Sequence, residues 1–129
     1  MNQPNSVLVV EDDRDVAFGT SMRLRSAGYE TLIAHDGREG IDVARRRHPS
    51  VILLDVRMPR MDGLAALDQL QRDRRTRDIP IVMLSASLID QQAALDAGAR
   101  FFLAKPYQAH SLLTAVERAI AENHCEQES

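Results

Sequence analysis

The sequence predicts an α/β fold in which a parallel β-sheet is covered by helices on both faces. Five short apolar runs of strand length alternate with five amphipathic segments of helix length. Alternating strand and helix units of this kind are typical of parallel sheets. The 129 residues favour one domain. We place that domain at residues 6–122, between polar tails at 1–5 and 123–129.

The predicted strands differ in their apolar content, which indicates their position in the sheet. The run at 51–55 is apolar up to its final aspartate, as expected of a strand buried on both faces. The run at 30–34 is less apolar and is interpreted as an edge strand. Strands are predicted at 7–11, 30–34, 51–55, 80–84 and 100–104.

The predicted helices begin and end at residues that commonly cap helices. Gly28 ends the first helix, Asp36 caps the second, and Gly98 ends the fourth. Pro59 and Gly63 mark the loop before the third helix, where leucines recur at helical spacing. Helices are predicted at 14–27, 37–47, around 64–70, 90–97 and 107–122.

The order of these elements restricts the topology of the sheet. Right-handed crossovers leave few arrangements, and five units of this length fit a doubly wound, flavodoxin-like sheet with strand order 2-1-3-4-5. In that order, ligands bind at the carboxyl ends of strands 1 and 3. Glu11 and Asp12 follow strand 1, and Asp55 ends strand 3. The sequence therefore predicts a site at this edge.

Composition excludes some classes of partner. The net charge of −3 gives no electrostatic reason to expect binding to nucleic acid or to an anionic membrane. We find no signal peptide pattern and no apolar run near the length of a membrane span. Cys125 is the only cysteine, which suits a reducing compartment. These features predict a cytoplasmic protein.

The acidic residues at the predicted edge favour a metal site. Asp13 and Asp15 are explained as helix N-terminal acids. Two carboxylates ~5 Å apart repel by about 3 kcal/mol at an effective dielectric near 20, so the cluster of Glu11, Asp12 and Asp55 requires a counter-ion or a shifted pKa. Oxygen ligands favour Mg²⁺, and the lack of histidine or cysteine in the cluster argues against zinc. The alternative is an acidic edge that is merely solvated.

Four segments of the chain match a known family in order and spacing. Together they resemble the receiver domain of two-component response regulators over roughly residues 6–122. The matching segments are Val9-Val10-Glu11-Asp12, Leu54-Asp55-Val56-Arg57-Met58-Pro59-Arg60-Met61-Asp62-Gly63, Leu84-Ser85-Ala86 and Lys105-Pro106.

The resemblance implies a chemical role for the acidic cluster. Asp55 would accept a phosphoryl group from a histidine kinase or a phosphotransfer protein. Asp12 would bind Mg²⁺ directly, Glu11 through water, and Arg57 through its backbone carbonyl, with Asp55 as a further ligand. A carboxylate is a weak nucleophile, so neutralisation of charge by a metal and a lysine would assist the transfer.

The resemblance also implies a conformational switch. Ser85 and Lys105 would bind the phosphoryl oxygens, and Phe102 matches the aromatic switch position. Movement of Ser85 and Phe102 would remodel the surface formed by helix 4, strand 5 and helix 5. Serine replaces the commoner threonine, and phenylalanine stands where tyrosine is also frequent. Taken alone, Phe102 is better explained by packing in the core than by a switch.

The sequence leaves three functions open. The first is a phosphorylation-controlled receiver that catalyses only its own phosphorylation and slow dephosphorylation, and so is not an enzyme acting on a separate substrate. The second is a pseudo-receiver that binds partners without phosphorylation. The third is a metal-dependent aspartyl-phosphate hydrolase that uses Asp13 and Asp15. The cognate kinase and the downstream output domain or protein stay open, as does a phosphorylation-dependent homodimer.

Overall fold

A computed structural model describes residues 5–58 and 61–128, with the backbone path only for 124–128. Its five strands form one parallel sheet in the order β2-β1-β3-β4-β5, which confirms the predicted topology. The strands are β1 (Ser6–Val10), β2 (Glu30–Ala34), β3 (Val51–Asp55), β4 (Ile81–Ser85) and β5 (Phe101–Ala104).

Five helices connect and flank these strands. Asp13 caps the first helix by accepting hydrogen bonds from the backbone amides of Asp15 and Val16. Asp36 caps the second helix in the same way, through the Glu39 amide. The helices are α1 (Arg14–Ser26), α2 (Gly37–Arg47), α3 (Gly63–Arg72), α4 (Asp90–Asp96) and α5 (Ala109–Glu128).

Each face of the sheet has its own hydrophobic core, because side chains alternate along a strand. Leu8 and Leu54 point into the core formed with α2, α3 and α4. Val7 and Leu53 point into the core formed with α1 and α5. This is the two-sided covering predicted from the alternation of strands and helices.

The last helix differs from its prediction at both ends. It begins at Ala109 rather than at 107, and its backbone continues to Glu128 rather than ending at 122. Residues 123–128 contain no glycine or proline to end the helix. The side chains of His124 and Cys125 lie outside the described part of the chain, as do Pro59 and Arg60 in the loop before α3. The domain bounds of 6–122 stay a prediction.

Gly63 allows the loop after β3 to return close to the strand. A Cβ atom at this position would collide with the backbone carbonyl oxygen of Asp55. The Gly63 amide also donates a 2.7 Å hydrogen bond to the Val56 carbonyl oxygen. A side chain at 63 would therefore push the loop away from the end of β3.

Candidate functional site

Four polar residues at the carboxyl edge of the sheet are held in place by the strands that precede them. Asp55 and Ser85 are the last residues of β3 and β4, and Glu11 and Lys105 directly follow β1 and β5. The Glu11 amide bonds to the Ala34 carbonyl at 3.0 Å, and the Lys105 amide bonds to the Ser85 carbonyl at 2.8 Å. Residues up to 94 positions apart thus share one edge. The Lys105–Pro106 peptide bond is cis.

Lys105 lies between two buried carboxylates. Its Nζ is 2.9 Å from Glu11 Oε1 and 3.1 Å from Asp55 Oδ1. Glu11 and Asp55 are each 5% exposed, whereas Asp12 is exposed. Carboxylate oxygens of Glu11, Asp12 and Asp55 all lie within 4.8 Å of one another. The structure therefore brings together the predicted acidic cluster and the predicted lysine.

The ionisation of this group follows from burial and crowding. Burial and the neighbouring charge of Glu11 raise the pKa of Asp55 to about 7, although Lys105 opposes the rise. Burial raises the pKa of Glu11, but hydrogen bonds from Lys105 and the Asp13 amide outweigh it, so that pKa is lowered. Burial and Glu11 raise the pKa of Asp12. One lysine does not neutralise three acids.

These donor atoms fit a hard divalent cation. The cluster offers carboxylate oxygens alone, and Asp12 is open to solvent, which leaves room for metal-bound water. A divalent cation together with Lys105 would balance the three negative charges. Burial and the negative charge of Glu11 raise the pKa of Asp55, so a cation beside it would favour its ionised form. The residues present therefore fit Mg²⁺.

Ser85 and Arg57 both contact an acid that the sequence analysis did not identify. Ser85 Oγ donates a 2.6 Å hydrogen bond to Asp90 Oδ2. Arg57 donates from Nε and Nη2 to the two oxygens of Asp90, each at 3.1 Å. Hydrogen bonds from Ser85 and Arg57 lower the pKa of Asp90, so it is ionised at neutral pH. The Arg57 side chain thus lies neither free in solvent nor on the acidic cluster.

Phe102 lies on β5 opposite Met83. Its ring is partly buried and packs against the core shared with α3 and α4. This is the core packing that was one of the two interpretations of the residue. Its role as a switch stays a prediction.

Two residues near the site have no clear signal in the sequence. Asp90 looked like an ordinary acid at a helix start, and only its spacing of five from Ser85 could have drawn attention to it. His35 lies beside Glu11: its Nδ1 is 3.2 Å from the Glu11 carbonyl oxygen, and its Nε2 is 3.4 Å from Arg14 Nη1. Nothing in the spacing of the histidines indicated that contact.

Comparison with known proteins identifies the family. A model of the response regulator receiver domain matches residues 7–117. The chain therefore belongs to this family of two-component signalling domains. Among the residues that the structure describes, no helix is long and apolar enough to cross a membrane.

The chain is similar to both curated proteins and solved structures. It is 36% identical over 112 residues to the DNA-binding dual master transcriptional regulator RpaA of a Synechocystis species, covering 85% of this chain and 46% of RpaA. It resembles the chemotaxis protein CheY4 of Vibrio cholerae with 32% identity and a TM-score of 0.84, covering 91% of this chain and 99% of the other.

A third similar protein is the receiver domain of the sensor histidine kinase PA1611 from Pseudomonas aeruginosa. The two are 30% identical with a TM-score of 0.85, over 92% of this chain and 99% of the other. That structure has a magnesium ion coordinated in its active-site cleft. The chain spans about half the length of the curated relatives it matches.

Proposed function

We propose that this domain accepts a phosphoryl group on Asp55, with Mg²⁺ bound, and that the phosphorylated form carries a two-component signal. The observation that carries the proposal is the buried Asp55 carboxylate, which contacts Lys105 at 3.1 Å within a cluster of two further acids. Family membership supports the proposal, because receiver domains act as signalling domains.

The residues supply most of the chemistry of transfer. An oxygen of Asp55 attacks the phosphorus, the new O–P bond forms, and the electron pair of the broken P–N bond goes to the imidazole of the donor histidine. Lys105 neutralises negative charge on the phosphoryl oxygens. Ser85, at the end of the neighbouring strand, offers an O–H donor to one of them.

Mg²⁺, when bound, supplies further positive charge to the phosphoryl oxygens. Asp12 and Asp55 would hold it directly, Glu11 through water, and Arg57 through its backbone carbonyl. The separation of the carboxylate oxygens, within 4.8 Å, and the exposure of Asp12 support this ligand set.

Intact-mass spectrometry after incubation with phosphoramidate and Mg²⁺ tests the phosphoacceptor. We expect one phosphoryl adduct on the wild type and none on Asp55→Asn. Asp13→Asn is the matched control, because Asp13 caps α1 and does not belong to the acidic cluster. Unchanged labelling of Asp55→Asn would contradict the assignment.

A groove beside α1 is our proposed contact for the phosphoryl donor. It is lined by Val16, Gly19 and Arg23 of α1 and reaches Lys105 and Tyr107, with a volume of about 430 Å³. Gly19 has open space around its Cα, so no packing constraint accounts for a glycine in mid-helix. The groove includes Lys105, whose Nζ lies 3.1 Å from Asp55 Oδ1, so a partner helix seated there would bring its histidine close to the phosphoacceptor.

The variant Gly19→Gln tests this contact. Glutamine favours the helix more than glycine does, so the fold should be at least as stable. We expect the variant to be labelled by phosphoramidate like the wild type. Transfer from the histidine kinases of the source organism, assayed in a purified panel, should slow at least tenfold. Equal slowing with both donors would indicate damage to the site rather than to a docking surface.

The alternative hydrolase function loses support from the structure. Its candidate nucleophile, Asp13, uses its carboxylate to cap α1. No specific observation favours the pseudo-receiver alternative. The acids, the hydroxyl and the lysine that phosphorylation would use all lie at one edge of the sheet. The labelling experiment separates all three functions.

The proposed signal passes to an output domain or protein. RpaA is named a DNA-binding transcriptional regulator, and this chain matches less than half of its length. We propose that the surface of α4, β5 and α5 transmits the phosphorylation state of Asp55, by way of Ser85 and Phe102. Because a histidine kinase draws its phosphoryl group from ATP, we place the transfer in the cytoplasm.

A further inference from the structure

The hydroxyl proton of Ser85 is already engaged. Ser85 is fully buried and donates to Asp90 Oδ2 at 2.6 Å, while its oxygen accepts a 3.1 Å hydrogen bond from the Ser87 amide. A serine hydroxyl has one proton to donate. Without Asp90 or a replacement acceptor, that proton would have no partner in a buried site.

Asp90 also holds Arg57. The guanidinium donates to both carboxylate oxygens, so Asp90 receives three hydrogen bonds although it is only 7% exposed. Asp90 is the first residue of α4, whereas Ser85 is the last residue of β4 and Arg57 lies two residues beyond the end of β3. The carboxylate therefore ties α4 to the edge of the sheet that carries Asp55.

A phosphoryl group on Asp55 would need the same donors. Phosphoryl oxygens only accept hydrogen bonds, and their greater charge makes them stronger acceptors than a carboxylate. Ser85 cannot donate its single proton to Asp90 and to a phosphoryl oxygen at once. The two anions therefore compete for one donor.

We propose that Asp90 is a positioning residue that holds Ser85 and Arg57 in the unphosphorylated state, and that a phosphoryl group on Asp55 displaces it from Ser85. This inference rests on the proposed function, since it requires a phosphoryl group at Asp55. In this proposal Asp90 competes with the phosphoryl group for the hydroxyl proton of Ser85. Loss of the Asp90–Ser85 contact is then the event that loosens α4.

The packing of α4 makes it sensitive to that contact. Of its seven residues only Asp90 and Ala94 are buried. Its N-cap residue, Ile89, makes no side-chain capping hydrogen bond and is 86% exposed, and the preceding Leu88 is 67% exposed. Ala94 is the one other buried residue of α4, so loss of the Ser85 contact weakens a large part of what holds the start of the helix.

The affinity for beryllofluoride, a phosphoryl analogue, tests the competition in the presence of Mg²⁺. Asp90→Ala leaves the Ser85 hydroxyl without its acceptor in the free state, so the analogue should bind about tenfold more tightly than to the wild type. Asp96→Ala removes an exposed aspartate at the other end of α4 and should bind like the wild type. A residue with a merely structural role would weaken binding when it is replaced.

Two further variants keep the test decisive. Asp90→Asn retains the shape and one carbonyl acceptor, so a smaller gain is expected even if Asp90→Ala folds poorly. In a Ser85→Ala background, the gain from Asp90→Ala should fall by more than half, because the contested proton is absent. A full gain in that background would overturn the role of Ser85.

The outcomes separate this inference from the proposed function. If the wild type binds beryllofluoride and Asp55→Asn does not, the proposed function stands. Equal or weaker binding by both Asp90 variants would then overturn the competition alone. If the wild type binds no beryllofluoride in the presence of Mg²⁺, the proposed function and this inference both fail.

Discussion

Two clusters of acidic and basic residues lie at opposite ends of the strands of the sheet. At the carboxyl edge, Glu11, Asp12 and Asp55 surround the single ammonium of Lys105. At the other edge, where α3 ends, Asp73 accepts hydrogen bonds from the side chains of Arg45 and Arg75, the shortest at 2.6 Å. One cluster has an excess of acid, whereas in the other Arg45 and Arg75 are matched by Asp73 and by Asp42, which lies 4.0 Å from Arg45.

The pKa of the aspartate is raised in one cluster and lowered in the other. Burial and the charge of Glu11 raise the pKa of Asp55 to about 7. Hydrogen bonds from Arg75 and Arg45 hold the pKa of Asp73 well below its usual range. Asp73 is satisfied within the chain, whereas the cluster around Asp55 lacks positive charge. The same residue types therefore form a candidate ion site where their charges are buried and unbalanced, as around Asp55, and not where they are matched, as around Asp73.

The largest effect is expected on Mg²⁺ affinity. Asp12→Ala removes a carboxylate of the cluster and should weaken Mg²⁺ binding at least tenfold, since each ligand carries a large share of the attraction. Asp13→Ala is the matched control, because its carboxylate caps α1. Titration calorimetry measures both. Equal losses would show that the wrong pair of acids has been assigned to the metal.

The comparison also predicts opposite effects on folding stability without metal. Asp55→Asn removes a buried carboxylate whose ionisation is unfavourable, so the free energy of unfolding at pH 8 in EDTA should rise by about 2 kcal/mol. Asp73→Asn removes a favourable charge and should lower it. Urea unfolding of the two variants measures both changes. Changes of the same sign would contradict the comparison.

The pH dependence of these effects follows from the direction of each pKa. The pKa of Asp55 is about 7 in the folded protein and near 4 in the unfolded chain. Its contribution to the free energy of unfolding is therefore fully present only below about pH 4 and is lost as pH rises through about 7. The gain from Asp55→Asn should therefore vanish at pH 4 and level off above pH 7. Asp73 has a lowered pKa, so its stabilisation is present at neutral pH and is lost in acid.

Much of the fold was predictable because each strand is a short apolar run followed by a polar residue. The predicted bounds of β2 and β3 match the structure, and those of the other strands differ by one residue. Buried apolar runs between capping residues set these bounds without any long-range information. The end of α5 was not predictable in this way, because polar residues without glycine or proline are compatible with either a helix or a tail.

The site was predictable only where residues follow strands. Glu11, Asp55, Ser85 and Lys105 each stand directly at a strand end, so topology alone places them at one edge. Asp90 belongs to a helix start five residues after β4, and its contact with Arg57 depends on the path of two loops. Side-chain pairing across loops has no periodic signal in a sequence.

Phosphorylation should change amide hydrogen exchange near the site and leave it unchanged at the Asp73 cluster. We expect amides in residues 86–108 to exchange several-fold faster or slower when beryllofluoride and Mg²⁺ are added, because Ser85, α4 and β5 lie in or beside this range. Amides near Asp73 should not change, since that cluster is satisfied within the chain. Changes confined to the loop that follows Asp55 would contradict a switch through α4 and β5.

The smallest effect is expected on the lifetime of the phosphorylated state. Arg57 is paired with Asp90 in the unphosphorylated protein, and its side chain is 69% exposed. Because a phosphoryl oxygen is a stronger acceptor than a carboxylate, the guanidinium can leave Asp90 for the phosphoryl group and cover the approach of the hydrolytic water. We therefore expect the adduct to decay about threefold faster in Arg57→Ala and Arg57→Asn at saturating Mg²⁺, a change of under 1 kcal/mol.

Arg72→Ala provides the control for this measurement. Arg72 also pairs with an aspartate, Asp68, but both are exposed on the far part of α3 and neither contacts Asp90. Its adduct should decay at the wild-type rate. Wild-type decay in both Arg57 variants would mean that Arg57 contributes only its backbone to the site. Slower decay would mean that the guanidinium assists hydrolysis, which would assign Arg57 the opposite role.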